Sequence, residues 1–309
     1  VGAGVGLLHR GRELPDRTRR LDDIKSTRTV RGVARHQYRG GLPSMTTEPK
    51  LYTAENPLKI LSLGWGVQSW TLAAMAALGE IEPVDYAIHA DTTHEAEGTY
   101  AHATKWTPWL ERRGVKVVTV KAGNTDAVRD NVGTNGSILV PAFTLDESEG
   151  EGQIRRQCTQ DWKIIPIRRF LRTHSKATPG AITMLLGISL DEWHRMKDSN
   201  VKYIKHIYPL VDMRISRADC VAWLESHNLD LPPKSACTFC PYHSLTSWKN
   251  LKRQGGVDWD RAVTVDAAVR EKRPNLQTFL HPRRKPLEEA VRIPEDFGAT
   301  QMEMDIPCD

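Results

Sequence analysis

The cysteines are the residues of this chain best suited to ligate a metal or attack a substrate. Cys237 and Cys240 form a C-x-x-C pair that is followed by a proline. This spacing lets two thiolates hold one metal or cluster from a tight turn, and it occurs in zinc knuckles, iron–sulfur proteins and dithiol redox sites. The redox alternative needs a thioredoxin-like βαβ context, whereas this pair follows Pro-Pro-Lys-Ser late in the chain. The pair therefore favours a metal or cluster site.

Further thiolate ligands would have to come from distant parts of the sequence. Cys158 is the best third ligand, because it begins an arginine-rich helix whose charges would favour the thiolate. Three alternatives remain for the fourth position: Cys220, Cys308, or a position open to substrate or sulfide. Cys220 could instead be a small buried residue of a helix, and Cys308 could belong to a frayed terminus. His243 is an alternative zinc ligand beside the pair.

A second candidate site lies in the stretch LKILSLGWGVQSWTLAAMAAL at 58–78. Its apolar start predicts a buried strand, Gly64 and Gly66 predict a turn, and a helix is expected from about Ser69. This order leaves backbone N–H groups at a helix N-terminus free to hold a phosphate, which glycines allow to come close. The alternative is an ordinary βα turn.

Short apolar runs alternate with helical patterns along the body of the chain. Strands are predicted at 58–63, 84–90, 115–120, 180–187 and 203–211, and helices at 97–113, 216–228, 246–254 and 259–272. The alternation predicts a parallel sheet covered by helices on both faces, with ligands at the carboxyl ends of its strands. Gly64–Ser69 and Asp91–Glu95 both occupy such positions, which favours phosphate binding there.

The remaining segments have weaker patterns. Residues 124–152 are polar, glycine-bearing and acidic, and we expect a long loop or lid there with one short apolar run. Ser216 is an N-cap candidate with Asp219 at the third helical position, which is close to a capping box. From Pro274 onwards we expect a proline-punctuated tail.

Five segments, taken together, carry a family resemblance. They are SLGWGVQS (Ser62–Ser69), DTTHEAEGTY (Asp91–Tyr100), RQCTQDWKIIPIRRFL, LGISLDEWHR and CTFCP. The first looks like a variant of a pyrophosphate-binding loop usually written S-G-G-x-D-S, and the second is similar to D-T-G-x-E-x-x-x-T-Y. The others resemble a cysteine–lysine–proline helix, a post-strand segment with a Glu-x-x-Arg pair, and a later cluster pair. In this order the chain resembles the phosphoadenylyl-sulfate reductase-like family of the adenine nucleotide α-hydrolase (PP-loop) superfamily.

The resemblance implies an α/β fold with a doubly wound, mostly parallel five-stranded sheet and a C-terminal cysteine-containing helical region. It implies ATP or adenylyl sulfate as the bound nucleotide and a [4Fe-4S] cluster, with zinc as the alternative metal and Mg²⁺ as a further candidate. The nucleotide contacts would be Ser62, Gly64, Gly66, Gln68, Ser69, Asp91, Glu95 and Gly187. The cluster ligands would be Cys158, Cys237 and Cys240, with Cys220 as first choice for the fourth. The catalytic candidates are Cys308, Lys163 and Arg195, the last two as phosphate contacts.

The chain also departs from the family pattern. With Ser69 aligned to the last serine of the loop motif, Gly64, Trp65 and Gln68 replace a serine, a glycine and an aspartate. The lost aspartate removes a carboxylate that could help to hold Mg²⁺ for ATP cleavage. The sequence DIPCD around Cys308 also differs from the C-terminal cysteine motif of the reductases.

Three functions are consistent with these features. The first is a sulfurtransferase that adenylates a nucleic acid or nucleotide and then inserts sulfur, which requires a sulfur- or electron-donor protein. The second is a sulfonucleotide reductase in which Cys308 attacks the sulfate sulfur. The third is a non-catalytic nucleotide-binding module with structural zinc, which the missing loop aspartate favours.

Composition limits the class of protein. The chain has 309 residues, 39% hydrophobic and 26% charged, with a mean hydropathy of −0.47 and no apolar run as long as a membrane span. Five cysteines without a recognisable export signal predict a cytoplasmic protein with no membrane partner.

Charge is unevenly distributed along the chain. The net charge is +5, but residues 1–44 alone hold ten Lys or Arg against four Asp or Glu. We expect a disordered basic leader at 1–50, a nucleotide-binding α/β domain at 51–215 and a helical, cluster-binding region at 216–309. The leader is either a nucleic-acid-binding arm or a dispensable extension upstream of a natural start at Met45.

Overall fold

Strands and helices alternate along most of the described chain. The computed structural model describes residues 52–122, 140–146, 150–174, 178–271 and 276–292, all within one compact unit. The strands are β1 (Leu58–Ser62), β2 (Tyr86–Asp91), β3 (Val117–Lys121), β4 (Ala142–Asp146), β5 (Gly150–Ile154), β6 (Ile182–Leu185), β7 (Ile204–Ile207) and β8 (Gln277–Phe279). The α-helices are α1 (Val67–Leu78), α2 (Glu97–Glu111), α3 (Ile165–His174), α4 (Pro209–Asp212), α5 (Arg217–Ser226), α6 (Leu245–Gln254), α7 (Gly256–Glu271) and α8 (Leu287–Ala290). A π-helical turn (Thr159–Ile164) precedes α3, and a 3₁₀ helix (Leu190–Arg195) follows β6.

The main sheet has five strands in the order β3-β2-β1-β6-β7, and every pairing in it is parallel. The central strand β1 aligns Ile60 with Tyr86 on one side and with Met184 on the other. The chain first builds outward from β1 to β3 and then returns to build β6 and β7. The strand order therefore reverses between β1 and β6, which is where doubly wound sheets bind ligands. The predicted fold class is confirmed.

Alternate residues of the strands face two separate apolar layers. Ile60 and Ile88 join a core cluster with Phe170 and Leu171 of α3. Leu61 and Ala87 belong to another cluster, shared with α1, α2 and α5. Buried strands with apolar residues on both faces require helices on both faces, because neither face can be left to water.

The second sheet is a difference from the sequence prediction. Residues 142–146 and 150–154 lie in the segment expected to be a long loop, but they form β4 and β5 of an antiparallel sheet ordered β5-β4-β8. Strand β8 lies in the segment expected to be a tail. The pairing Phe143–Phe279 joins residues that are far apart in sequence, so no local pattern could reveal it. A third core cluster, with Trp248, Val265 and Leu280, packs beside this sheet.

Two findings concern the helices: the capping box at the start of α5 and their length relative to a membrane span. The capping box of α5 is present: Asp219 N donates to Ser216 Oγ, and Ser216 N donates to Asp219 Oδ2. Within the described ranges, no helix has both the length and the apolar character needed to cross a bilayer.

Candidate functional site

The turn between β1 and α1 presents backbone rather than side chains. Trp65 adopts φ 58°, a left-handed conformation that a bulky residue rarely takes. Its indole is 1% exposed and packs in the core against the rings of Trp70 and His102. Because the indole turns inward, the exposed Gly64 and the half-buried Gly66 form the outer surface of the turn. Ser62, two residues before Gly64, ends β1 in register with Ile88.

The start of α1 has the features of an anion site. Gly66 is the N-cap residue, no side chain caps the helix, and its first turn contains no acidic residue. The first N–H groups of an α-helix have no partner within the helix, and the helix dipole adds positive potential there. Ser69 directs its hydroxyl back to the carbonyl oxygen of Gly66, at 3.2 Å. A phosphate placed outside Gly64 would meet the N-terminal end of this helix and the positive end of its dipole.

Gly187 lets the loop after β6 lie against this helix start. A Cβ atom at position 187 would lie 2.8 Å from Ser69 N and 3.0 Å from Ser69 Cα, closer than real side chains come. Only glycine fits here without a backbone shift. The structure thus brings Gly187 together with Ser69 at the point where the strand order reverses.

Gln68 links the helix start to the 3₁₀ helix and to α5. Its Nε2 donates to Ser189 Oγ at 3.4 Å and to Glu192 Oε2 at 3.2 Å, and its Oε1 accepts from Arg217 at 3.0 Å. Glu192 also pairs with Arg195 at 2.9 Å. The residue that replaces the family's loop aspartate is therefore held towards β6, with the predicted phosphate contact Arg195 in the same network.

Asp91 at the end of β2 is fully engaged within the protein. Its Oδ1 accepts from Thr93 N at 2.7 Å and from Tyr100 Oη at 2.8 Å, and Lys121 pairs with Oδ2 at 2.9 Å. Burial would raise the pKa of Asp91, but these hydrogen bonds lower it overall. Asp91 organises the turn after β2, and its oxygens already have partners.

Glu95 and Lys163 form an ion pair beneath the end of β2. Glu95 is 1% exposed, and its Oε1 accepts from Lys163 Nζ at 3.3 Å and from Thr92 Oγ1 at 3.4 Å. Glu95 Oε2 is buried without a hydrogen-bond partner among the described residues. The Lys163 side chain is 41% exposed, so this pair reaches the surface through the lysine. Burial opposes the ammonium, but Glu95 together with Cys237 and Cys158 raises the pKa of Lys163.

Lys163 is positioned by an uncommon element. It lies in the π-helical turn that begins directly after Cys158. Such turns are rare, cost backbone hydrogen-bond quality and occur often at functional sites. The extra residue in this turn changes the direction in which Lys163 leaves the helix, which no periodic sequence pattern would indicate.

The segment 235–240 brings a thiol to the same edge of the sheet. Ser235 Oγ donates to the carbonyl oxygen of Gly64, and Thr238 N donates to the carbonyl oxygen of His94 at 2.9 Å. Between them, Cys237 forms an isolated antiparallel bridge with Glu95, and its Sγ lies 3.3 Å from Thr92 Oγ1. Burial and the nearby Glu95 carboxylate raise the pKa of the Cys237 thiol, while Lys163 lowers it in part.

The four predicted cluster ligands are only partly brought together. Cys158 and Cys237 pack against the third core cluster, and the Cys240 N–H donates to the Cys237 carbonyl oxygen at 3.0 Å. Cys220 instead lies fully buried on α5, in the core cluster that contains Leu61 and Ala87. Burial raises the pKa of Cys220 to about 11. The structure therefore places Cys220 as a small core residue, apart from the segment that carries Cys237 and Cys240, and its first-choice role as a ligand stays a prediction.

The described cysteines do not fit a cluster in this arrangement. Among the described residues, no three His, Cys, Asp or Glu side chains are placed to hold one metal ion. Burial raises the pKa of Cys158 more than Arg156 lowers it, so the expected thiolate at this position is not favoured. Cys308, the predicted nucleophile, lies outside the described residues.

Several residues of this edge were not singled out by the sequence. Thr92, Ser189, Arg217 and Ser235 contact predicted site residues from four different segments. Ser235 had one usable signal, since it lies two residues before Cys237. The others are ordinary polar residues whose role depends on which segments the fold brings into contact.

Comparison with known proteins adds little. No family model matches the chain, and no curated protein matches it. Among solved structures, the chain is similar to phosphoadenylyl-sulfate (PAPS) reductase from Candida auris in its phosphate complex. The two are 15% identical, the match covers 57% of this chain and 75% of that chain, and the TM-score is 0.40. A similarity of this size concerns the fold at most.

Proposed function

We propose that this chain is a PP-loop-type enzyme of sulfur chemistry that binds an adenine nucleotide, ATP or adenylyl sulfate, with its phosphates on the start of α1. The observation that carries the proposal is the uncapped, acid-free N-terminus of a 12-residue helix at the point where strand order reverses. Gly64 is exposed in the turn before this helix, and Gly187 lets the loop after β6 pack close to Ser69. These features together favour a polyphosphate over a neutral ligand.

The neighbouring Cys237 supports sulfur chemistry rather than simple nucleotide binding. We call Gly64, Gly66 and the first turn of α1 the phosphate cradle. Ser235 Oγ donates to the carbonyl oxygen of Gly64, and Cys237 lies two residues after Ser235 in the same segment. In the free protein the Cys237 thiol keeps its proton near neutral pH, because its pKa is raised. Lys163 offers an ammonium both to the Glu95 carboxylate and to negative charge that develops at the bound ligand.

Two reactions would use this edge. In the favoured one, an oxygen of a nucleic acid or nucleotide attacks the α-phosphate of ATP and pyrophosphate leaves, and sulfur from a donor protein then displaces AMP. In the alternative, the thiol of Cys308 attacks the sulfur of a sulfonucleotide and the adenine nucleotide leaves, after which thiols of an electron-donor protein reduce the Cys308 S-sulfonate and release sulfite. Pyrophosphate release from ATP would support the transferase, whereas sulfite release from adenylyl sulfate that disappears in Cys308→Ala would support the reductase.

Neither of these two reactions is written with a step at a metal ion or an iron–sulfur cluster. A [4Fe-4S] cluster would contribute a sulfur or electron site, but the described cysteines do not form a three-ligand group. Anaerobic purification followed by iron and acid-labile sulfide analysis tests this directly. Zinc without iron, and no turnover of either nucleotide, would favour the non-catalytic module instead.

Nucleotide binding itself is tested with Gly64→Asp. Position 64 has open space, since a Cβ would meet only Ser69 Oγ at 3.8 Å, so the substitution adds a carboxylate without steric conflict. A like charge close to a phosphate costs several kcal/mol, so calorimetry should show at least about tenfold weaker ATP and pyrophosphate binding.

The matched control is Leu78→Asp, which adds the same charge at the exposed C-terminal end of the same helix. This variant should bind ATP within about twofold of the parent chain, because its charge lies more than a Debye length from the cradle. Equal binding by Gly64→Asp and the parent would contradict the proposed site.

A further inference from the structure

Trp193 is the most exposed large apolar side chain among the described residues. It is 64% exposed, and the apolar side chains of Leu190, Met196 and Met213 are exposed as well. Leu190 N donates to the carbonyl oxygen of Ile215, which joins the 3₁₀ helix to the turn that carries Met213. Single exposed apolar residues are normal, but a group that includes a tryptophan indicates a binding surface.

The segment that carries Trp193 is held rigidly. Ser189 is fully buried, and its carbonyl oxygen accepts from Glu192 N at 2.9 Å. On the other side, Met196 N donates to the Trp193 carbonyl oxygen at 3.0 Å, and Lys197 N donates to Tyr208 Oη at 2.9 Å. The backbone around the indole is therefore fixed at both ends. Because this backbone is already ordered, a ligand that binds the indole does not have to order the backbone as well.

The position of this surface links it to the phosphate cradle. Glu192, the residue before Trp193, contacts Gln68 in the first turn of α1 at 3.2 Å. The guanidinium groups of Arg195 and Arg217 join the same network, at 2.9 Å from Glu192 and 3.0 Å from Gln68. The exposed indole of Trp193 thus directly follows a residue whose network includes two arginines and the first turn of α1. This combination suits a ligand with a planar ring at one end and phosphates at the other.

We infer that Trp193 is the stacking platform for the base of the nucleotide whose phosphates lie at the start of α1. The inference rests on the proposed function, since the phosphate cradle fixes where the base must lie. It identifies Trp193 as a specificity-determining residue that favours nucleotides over inorganic pyrophosphate. The missing loop aspartate makes such base contacts more important, because less affinity can come from a metal-bridged phosphate.

The experiment compares ATP with inorganic pyrophosphate by calorimetry in the parent chain and in three variants. Trp193→Ala and Trp193→Leu remove the ring, and Leu keeps much of the apolar area, while Trp193→Phe keeps an aromatic face. Stacking on an aromatic side chain predicts about fivefold to a hundredfold weaker ATP binding for Ala and Leu, with a much smaller change for Phe. Pyrophosphate affinity should be the same in all four proteins.

The outcomes separate this inference from the function on which it rests. In one outcome, the parent binds both pyrophosphate and ATP while Ala and Leu at position 193 leave ATP affinity unchanged. That result would overturn base stacking on Trp193 and would still support phosphate binding at the start of α1. The same holds if Leu at position 193 retains as much ATP affinity as Phe, since apolar contact without stacking would then be sufficient. If the parent binds neither ligand, the proposed function fails and the platform fails with it. Because Trp193 is exposed, thermal unfolding of the variants should match the parent.

Discussion

The two halves of the sheet's carboxyl edge are built in opposite ways. At the β1/β6 half, the proposed recognition depends on backbone: Gly64, Gly66 and Gly187 keep side chains away from a helix start. At the β2 half, it depends on side chains, with Glu95, Lys163 and Cys237 contributed by separate segments. The backbone half has Glu192, Arg195 and Arg217 in a hydrogen-bonded network beside it, whereas the side-chain half contains a carboxylate that is almost fully buried. Backbone sites are specified by local sequence, while side-chain sites depend on long-range contacts.

The largest effect that we predict comes from removing the lysine of the Glu95–Lys163 ion pair in the side-chain half. Lys163→Met leaves the buried Glu95 carboxylate without its cation, so we expect a loss of about 2–4 kcal/mol in the free energy of unfolding. The estimate is below that for a fully buried pair, because the lysine is 41% exposed. Urea unfolding at neutral pH measures it.

The double variant Lys163→Met/Glu95→Gln is the control for this prediction. Removing the carboxylate together with its cation should recover most of the lost stability. Strictly additive losses in the two single variants would show that the pair is not coupled.

The next prediction concerns the close packing of Gly187 against α1 in the backbone half. Gly187→Ala places a Cβ 2.8 Å from Ser69 N, and the backbone of α1 must shift to accommodate it. Overpacking of this kind should cost about 2 kcal/mol in unfolding free energy and should also weaken ATP binding. Denaturant unfolding and calorimetry test the two effects separately.

Gly152→Ala in β5 is the matched control. Its Cβ would lie 2.7 Å from Thr144 Oγ1, which is equally close, but this oxygen belongs to a side chain that can rotate. We expect a smaller loss of stability and unchanged ATP binding. If the two alanine variants behave alike, Gly187 has no special role at the switch point.

The smallest effect that we predict is a loss of stability in acid, caused by a buried histidine that packs against α1. Burial lowers the pKa of His102, packed edge-on against Trp70, to about 4. The folded state therefore keeps this histidine neutral while the unfolded chain protonates below about pH 6.5, so stability falls as the pH drops from 6.5 towards 4. Between pH 7 and pH 5 this residue should remove about 1–2 kcal/mol of unfolding free energy.

His102→Leu tests the pH effect. The variant should lose less stability than the parent between pH 7 and pH 5, as measured by urea unfolding at both values. Identical losses in the two proteins would show that other groups account for the acid sensitivity.

Much of the fold was predictable because its signals are local. The apolar runs at β1, β2, β3, β6 and β7 and the helices between them are patterns of neighbouring residues, and the parallel sheet follows from their alternation. The capping box at Ser216 is equally local. The second sheet was missed because β4 and β8 stabilise each other across more than a hundred residues of sequence.

The candidate site divides in the same way. Gly64, Gly66, Ser69 and Gly187 were predicted from motifs, and the structure brings them together at one edge. Cys220 was expected beside the other cysteines, but its place on the inner face of α5 puts it in the core against α1. Cysteine has both roles in proteins, and only the surroundings of the thiol decide between them.

The parallel sheet, the glycine turn before α1 and the cysteine pair follow from short stretches of sequence, because each depends on residues close together in the chain. Three other features follow only from the folded chain: the contact of Glu95 with Lys163, the inward position of Trp65 and the exposure of Trp193 beside Glu192. These features depend on which distant segments exclude water from one another. Burial, and the charge pairing that burial requires, is a property of the folded chain and not of any single stretch of it.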